Sequence, residues 1–319
     1  MKAVILDAET MGRDIDFAPI ENVCDLTVFN NTKKEEIAQR INDAEIVILN
    51  KVVLDKATLS CAKKLRLICV FAIGYNNIDI NYCRENNISV RNTPGYCVQS
   101  VCQHTFALLF ALIENLRYYD DFVKSGLYSK SGAANHLAKP FFELDGKNWG
   151  IIGLGAIGRQ VGFAARAFGA NVCYSSLSGA EREEPFLRVP LERLLKESDI
   201  ISLSTPLNEK SQGLIGKNAL ALMKKSAVLI NVSRGAVTDE AALAQAIDEG
   251  IIAGAGIDVY SSEPPEKSSP LMNVKKRDRV VFTPHIAWAS VEARRRCISM
   301  TAQNITSYLN GEKGNDVCR

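Results

Sequence analysis

Residues Trp149-Gly150-Ile151-Ile152-Gly153-Leu154-Gly155-Ala156-Ile157-Gly158 lie near the middle of this chain. An apolar strand runs into a glycine turn and a helix opens behind it, with backbone N–H groups aimed at whatever occupies the turn. That arrangement suits a pyrophosphate. The spacing alone also fits an ordinary tight turn, so the residues after the turn decide between the two. Residues 159–168 carry an apolar face and stop at Gly169, and a second strand at 171–175 completes a βαβ unit. Gly153, Gly155, Ala156, Ile157 and Gly158 are therefore the candidate phosphate-binding residues. The motif's position requires the first hundred residues to form something of their own.

With 319 residues the chain exceeds what one core usually serves, and two domains are expected. A 47% hydrophobic and 23% charged content is that of an ordinary globular protein. The formal charge is +2 and opposite charges are interleaved, as in Lys33-Lys34-Glu35-Glu36, which argues against nucleic-acid binding. The longest apolar run, 106–113, is too short to span a bilayer, and the amino terminus does not resemble a signal peptide. Nine cysteines show no CxxC pair, so no metal site is expected and a reducing cytoplasm is the expected compartment.

The amino-terminal part alternates strand and helix, with strands at 3–6, 45–49, 65–71 and 88–91 and a helix over 33–41. Thr32 and Glu35 read as a capping box at the start of that helix. A long helix over 98–124 carries Phe106, Leu109, Phe110 and Ile113 at helical spacing and leads into the second domain. From residue 147 the pattern is strictly βα, with strands at 149–152, 171–175, 200–203, 227–231, 253–258 and 280–283. Six parallel strands make a doubly wound domain. A last helix, 291–309, is not needed by that domain and is expected to pack back on the first sheet, leaving the second domain inserted in the first. Residues 311–319 are expected to be disordered. A cleft between the domains is the expected active site.

Three histidines limit the acid/base candidates. His136 lies in a polar stretch and reads as a surface residue. His104, on the long helix, reads as a packing or interface residue. His285 follows a short apolar strand, where ligands of open α/β sheets bind. Two further strands end in Val232-Ser233-Arg234-Gly235 and in Val259-Tyr260-Ser261-Ser262-Glu263. Arg, Glu and His thus converge on one rim. Arginine can bind a carboxylate through two parallel hydrogen bonds, and a glutamate beside a histidine fixes its tautomer. The plainer alternative is a solvated Arg234–Glu263 ion pair.

The segments 153–158, 232–235, 256–260 (Gly-Ile-Asp-Val-Tyr) and 283–290 (Thr-Pro-His-Ile-Ala-Trp-Ala-Ser) together resemble the D-isomer-specific 2-hydroxyacid dehydrogenase family over nearly the whole chain. The resemblance implies an α/β protein of two doubly wound domains. A Rossmann nucleotide-binding domain, 99–287, would be inserted into a discontinuous flavodoxin-like substrate domain, 1–98 and 288–319. It implies that Arg234 binds substrate, His285 is the acid/base and Glu263 orients it. Asp258 would lie near the nicotinamide carboxamide. The segment 72–79 resembles the family's carboxylate loop, with N–H groups of Ile73, Gly74 and Tyr75 facing the acid. Trp288 would line the substrate, and Ser175, Thr205, Pro206, Val232 and His285 the cofactor. The implied reaction is hydride transfer between a nicotinamide and a 2-oxo acid while His285 moves the proton.

At the end of the second nucleotide-domain strand the family commonly has an acid, and this chain has Ser175. Glu181, Glu183 and Glu184 nearby oppose an extra phosphate, although Arg182 lies among them; NAD is the expected cofactor, with NADP left open. Trp288, Gln103-His104 and Tyr75-Asn76-Asn77 look most like members that reduce hydroxypyruvate or glyoxylate, the glycerate dehydrogenases. D-lactate and 2-ketogluconate types remain alternatives. So do the corepressors of the C-terminal-binding-protein type, which share the fold and sense NAD(H). The segment 98–142 resembles the family's dimer-forming region, which implies a homodimer.

Overall fold

The structure, a computed structural model, describes residues 1–178 and 184–318. The chain divides into two compact units, Met1–Cys97 with Ala289–Arg319, and Val98–Trp288.

In the first unit β1 (Lys2–Ile5), β2 (Asp25–Val28), β3 (Ile46–Leu49), β4 (Leu67–Val70) and β5 (Ser89–Arg91) form a parallel sheet in the order β2-β1-β3-β4-β5. Strands β3 and β4 read Ile-Val-Ile-Leu and Leu-Ile-Cys-Val and are buried throughout. Uninterrupted apolar runs of this kind mark strands covered on both faces. The edge strand β2, Asp-Leu-Thr-Val, is largely exposed. It has no apolar run, and for that reason the sequence did not disclose it. The expected capping box is shifted by one residue. The Lys33 N–H donates to Glu36 Oε2 at 2.8 Å, while the Thr32 hydroxyl donates to the Leu6 carbonyl. A 3-10 turn, Lys34–Glu36, therefore precedes the α-helix Ile37–Ile41.

The Ser290 hydroxyl accepts a hydrogen bond from the Ala293 N–H and starts the helix Val291–Leu309, which packs on β4. The tail after it was expected to be disordered and is instead fixed to the edge of the sheet. Val317 N–H donates to the Val90 carbonyl at 2.9 Å. The Asp316 carboxylate accepts from Ser89 Oγ at 2.8 Å and from the Val90 N–H at 3.2 Å. Buried Arg91 donates to the carbonyls of Asn304 and Glu312 and to Ser307 Oγ. The unpaired edge of β5 supplies the partners, and an edge cannot be read from composition.

In the second unit β6 (Asn148–Ile152), β7 (Asn171–Ser175), β8 (Leu187–Arg188), β9 (Ile200–Leu203), β10 (Val228–Asn231), β11 (Gly254–Ile257) and β12 (Val280–Phe282) form a parallel sheet in the order β12-β11-β10-β9-β6-β7-β8. Six strands were expected; the seventh, β8, is two exposed residues beside β7. The chain starts at β6, winds out to β8, then returns to β9 on the other flank of β6. That reversal opens a crevice at the carboxyl ends of β6 and β9. Helix α1 (Val98–Ile113) packs against β10, β11 and β12 and against helix α2 (Ala156–Ala167). The single helix expected over 98–124 is interrupted at Asn115, which takes a left-handed φ of +52°, and resumes at Leu116–Lys124. Asparagine tolerates that conformation better than most side chains.

Candidate active site

The glycine turn stands at the crevice. Gly153 leaves β6 with φ +94°, and a Cβ there would lie 2.8 Å from the backbone of Ser204 and Thr205. A Cβ on Gly158 would lie 2.3 Å from the Gly153 carbonyl oxygen. Both positions must be glycine for the turn to close on itself. Gly155, at the mouth, has open space where a side chain would be, and no side chain caps the amino end of α2 behind it. A cavity of about 730 Å³ lies over this turn. Gly153, Gly155, Thr205 and Pro206 line it, together with Tyr174, Ser176, Leu177, Ser178 and Glu184 from the β7 side. Bare amides at a helix start, next to a cavity at the switch point, fit the pyrophosphate of a dinucleotide. Ser175 is 5% exposed and does not line the cavity; its carbonyl accepts from the Gly153 N–H. Glu181, Arg182 and Glu183 lie outside the described residues.

Farther along the same sheet edge, β10, β11 and β12 are neighbours and end in the three polar segments that carry Arg234, Glu263 and His285. His285 Nδ1 and Glu263 Oε2 are 2.6 Å apart, and Glu263 Oε1 accepts from the Tyr260 N–H at 3.1 Å. One carboxylate oxygen is thus pinned by backbone and the other is left for the imidazole, whose Nε2 remains for chemistry. His285 itself takes φ +55°. An imidazole in that strained backbone region needs the surroundings to hold it there. Its N–H donates to the Asp258 carbonyl at 2.8 Å.

Asp258 was expected at the nicotinamide carboxamide. The structure buries its side chain, and the carboxylate accepts hydrogen bonds from the His285 loop. Oδ1 accepts from Thr283 Oγ1 at 2.6 Å and from the Ile286 N–H at 2.9 Å, and Oδ2 accepts from the Ala287 N–H at 2.8 Å. His104 Nε2 is 2.9 Å from Thr283 Oγ1. The single hydroxyl proton of Thr283 goes to Asp258, so His104 must donate. His104, Thr283 and Asp258 therefore form a bracket that holds the His285 loop. Burial pushes the Tyr260 phenol up to about 12, and its hydroxyl donates to the Thr283 carbonyl. That hydrogen bond ties the Tyr260 ring to the segment that carries His285.

Arg234 is half-buried and donates from Nη1 to the Ser233 carbonyl at 2.7 Å. The Arg234–Glu263 ion pair does not form: among the described residues no carboxylate stands within ion-pair distance of this guanidinium, and Glu263 is taken by His285. Val232, between β10 and Arg234, is 9% exposed. Trp288 is half-buried at the last position of the second unit. In the first unit Ile73, Gly74 and Tyr75 follow β4 in a loop whose Ile73 carbonyl accepts from Asn92 Nδ2 at 2.7 Å, with Tyr75 37% exposed. His136, expected at the surface, lies flat on Phe122 with ring centroids 3.9 Å apart and its Nε2 2.9 Å from Tyr118 Oη. Among the described residues no group of three or more His, Cys, Asp or Glu is placed to hold a metal.

A histidine–glutamate couple at one strand end and a cavity over a glycine turn at the switch point of the same sheet fit a nicotinamide-dependent oxidoreductase. Comparison with known proteins narrows the class. Residues 106–287 match the family described as D-isomer specific 2-hydroxyacid dehydrogenase, NAD binding domain, and the chain belongs to that family of oxidoreductases. It is 35% identical to a hydroxypyruvate reductase of Blautia hydrogenotrophica, covering 99% of each chain. A glyoxylate reductase of Thermococcus litoralis is 41% identical over 85% of this chain and 81% of its own length. Among solved structures, D-lactate dehydrogenase from Aquifex aeolicus, complexed with NAD and lactic acid, superposes with a TM-score of 0.84 at 27% identity over 99% of both chains.

Proposed function

We propose that this chain reduces hydroxypyruvate to D-glycerate with NADH, with glyoxylate as a second substrate. The observation that carries the reading is the 2.6 Å contact between His285 and Glu263 at the end of β12. The hydroxypyruvate reductase that matches the whole chain supports the substrate. Bound nicotinamide supplies the hydride to C2 of the 2-oxo acid, or accepts it in the reverse direction. His285 Nε2 gives a proton to the carbonyl oxygen as it becomes a hydroxyl, and recovers one from solvent after turnover. Glu263 keeps the imidazole oriented and stabilises its protonated form. Arg234 offers two parallel N–H groups to the substrate carboxylate and polarises the neighbouring carbonyl, for which a lysine's point charge is a poorer match. The N–H groups of Ile73, Gly74 and Tyr75 are assigned to the same carboxylate, and Trp288 to the substrate's remaining side. Gly153, Gly155, Ala156, Ile157 and Gly158 hold the pyrophosphate, with Thr205, Pro206 and Val232 along the cofactor. Asp258 is assigned to the His285 loop.

The active form proposed is a homodimer built on the segment 98–142. Leu116, Val123, Leu127, Leu137 and Phe141 are 51%, 55%, 53%, 81% and 59% exposed there. Several exposed large apolar side chains within one segment favour an interface. No helix among the described residues is long and apolar enough to cross a membrane. The cytoplasm is the proposed compartment, supported by nine free cysteines, several of them buried with thiols pushed up to about 12. NADH oxidation across hydroxypyruvate, glyoxylate, pyruvate, oxaloacetate and 2-ketogluconate tests the substrate. His285→Ala should lower kcat by about 10²–10⁴-fold and leave NADH affinity unchanged. NADH binding without turnover of any acid in the panel would instead make the chain a nucleotide-sensing binding protein.

A further inference from the structure

Dinucleotide-binding units commonly place an acid at the end of the second strand, against the ribose 2′-hydroxyl. Here that residue is Ser175, which is buried and outside the cavity. A carboxylate nevertheless reaches the same wall. Glu184 lines the cavity beside Tyr174, Ser176, Leu177 and Ser178, the residues at and just beyond the end of β7. Its side chain is 5% exposed, and both oxygens are held by one guanidinium. Arg159 Nε donates to Oε2 at 2.7 Å and Arg159 Nη2 donates to Oε1. Arg159 follows Gly158 in the first turn of α2, so the fork comes from the helix whose amino end borders the pyrophosphate position. Its hydrogen bonds to Glu184 raise the guanidinium above its ordinary value. Glu209 and Lys210 belong to the opposite wall, from the segment after β9, across β6 from β7.

We infer that Glu184, gripped by Arg159, is the acid that reads the adenosine ribose in this chain and selects NADH over NADPH, and that Arg159 is a phosphate-binding group neutralised by it. This rests on the cavity being the cofactor site, as proposed above. A carboxylate has about four acceptor positions. A carboxylate held by a guanidinium can therefore also accept from a ribose hydroxyl. A 2′-phosphate has no proton to give there at neutral pH and brings its own negative charge against a carboxylate largely removed from water. Without the Glu184 charge, the same fork presents two parallel donors to a phosphate.

The test is calorimetric titration of wild type, Glu184→Gln, and the double variant Glu184→Gln with Arg159→Ala, using NADH, NADPH, AMP and adenosine 2′,5′-bisphosphate. Wild type should prefer NADH and AMP. Glu184→Gln should tighten NADPH and the bisphosphate by roughly ten- to a hundredfold relative to their partners. Adding Arg159→Ala should remove that gain and leave NADH within a few-fold. Arg159→Ala alone covers the case in which Glu184→Gln does not fold: it leaves Glu184 unneutralised, so the NADH preference should widen. An unchanged ratio in Glu184→Gln, a narrowed one in Arg159→Ala, or a wild type preferring NADPH overturns the inference and leaves the dehydrogenase reading standing. A wild type that binds neither dinucleotide overturns both.

Discussion

Replacing Gly235 by alanine would put a Cβ 1.9 Å from the Tyr260 carbonyl carbon, 2.2 Å from its oxygen and 2.3 Å from the Ser261 nitrogen. Ordinary contact begins at 3.4 Å, so the gap must open by 3.4 − 1.9 = 1.5 Å. The opposing atoms are backbone and cannot swing aside. One side of this contact carries Arg234, and the other leads in three residues to Glu263, the partner of His285. The added methyl group therefore drives Arg234, proposed to bind substrate, away from the His285–Glu263 couple. Displacement on this scale costs about 10²-fold in rate, and the overpacking destabilises the unit by about 1–3 kcal/mol. The assay is kcat/KM for hydroxypyruvate at saturating NADH, with the urea unfolding midpoint and the NADH Kd measured alongside. We expect kcat/KM to fall about 10²-fold and the midpoint to drop. The Kd should hold within a few-fold, because the glycine turn follows β6 and not β10 or β11. Wild-type turnover with an unchanged midpoint would refute the reasoning, since the two segments would then be separable without consequence.

Glu263→Gln replaces a charge-assisted hydrogen bond by a neutral one. Such bonds contribute about 1.5–3 kcal/mol, and the 35% exposure of the Glu263 side chain places this one at the low end. Then kcat should fall about tenfold at unchanged NADH affinity, and an unchanged kcat removes Glu263 from proton transfer. The Lys2 and Lys64 ammonium groups hold the Asp43 carboxyl down to about 2, from an ordinary 3.8. A depressed acid stabilises the fold above its unfolded value and loses that contribution as pH falls through the folded one. Asp43→Asn should therefore flatten the dependence of the urea midpoint on pH between about 4 and 2; identical curves for both proteins would exclude the pair from acid stability. Asp316→Ala removes the acceptor for Ser89 and Val90, and should cost about 1–2 kcal/mol and raise amide exchange at Val317. Exchange as slow as wild type there would mean the tail is held elsewhere.

The central strands were legible because each is an apolar run of its own: β3, β4, β9 and β10 are buried from end to end. The elements that escaped notice, β2 and β8, lie at sheet edges where nothing forces an apolar side chain. The break at Asn115 was missed because helical spacing of apolar residues continues across it, while a single φ of +52° turns the chain. In the candidate site, Arg234, Glu263 and His285 could be picked out because each closely follows a strand. Nothing local connects His104 to Thr283, or Arg159 to Glu184, which are 179 and 25 residues apart.

By itself the sequence determined two parallel-sheet units, a glycine turn between a strand and a helix, and a short roster of side chains able to move a proton. These follow from periodicity and turn chemistry, which operate over a few neighbouring residues. Only the tertiary structure decided the strand order that opens the cavity beside β6 and the docking of the tail on β5. It also assigned Asp258 to a buried bracket and brought Glu184 to the wall where Ser175 is absent. Each of these is a pairing between distant parts of the chain, set by which edge or donor is left unpartnered once the sheets have formed. No local pattern encodes that remainder.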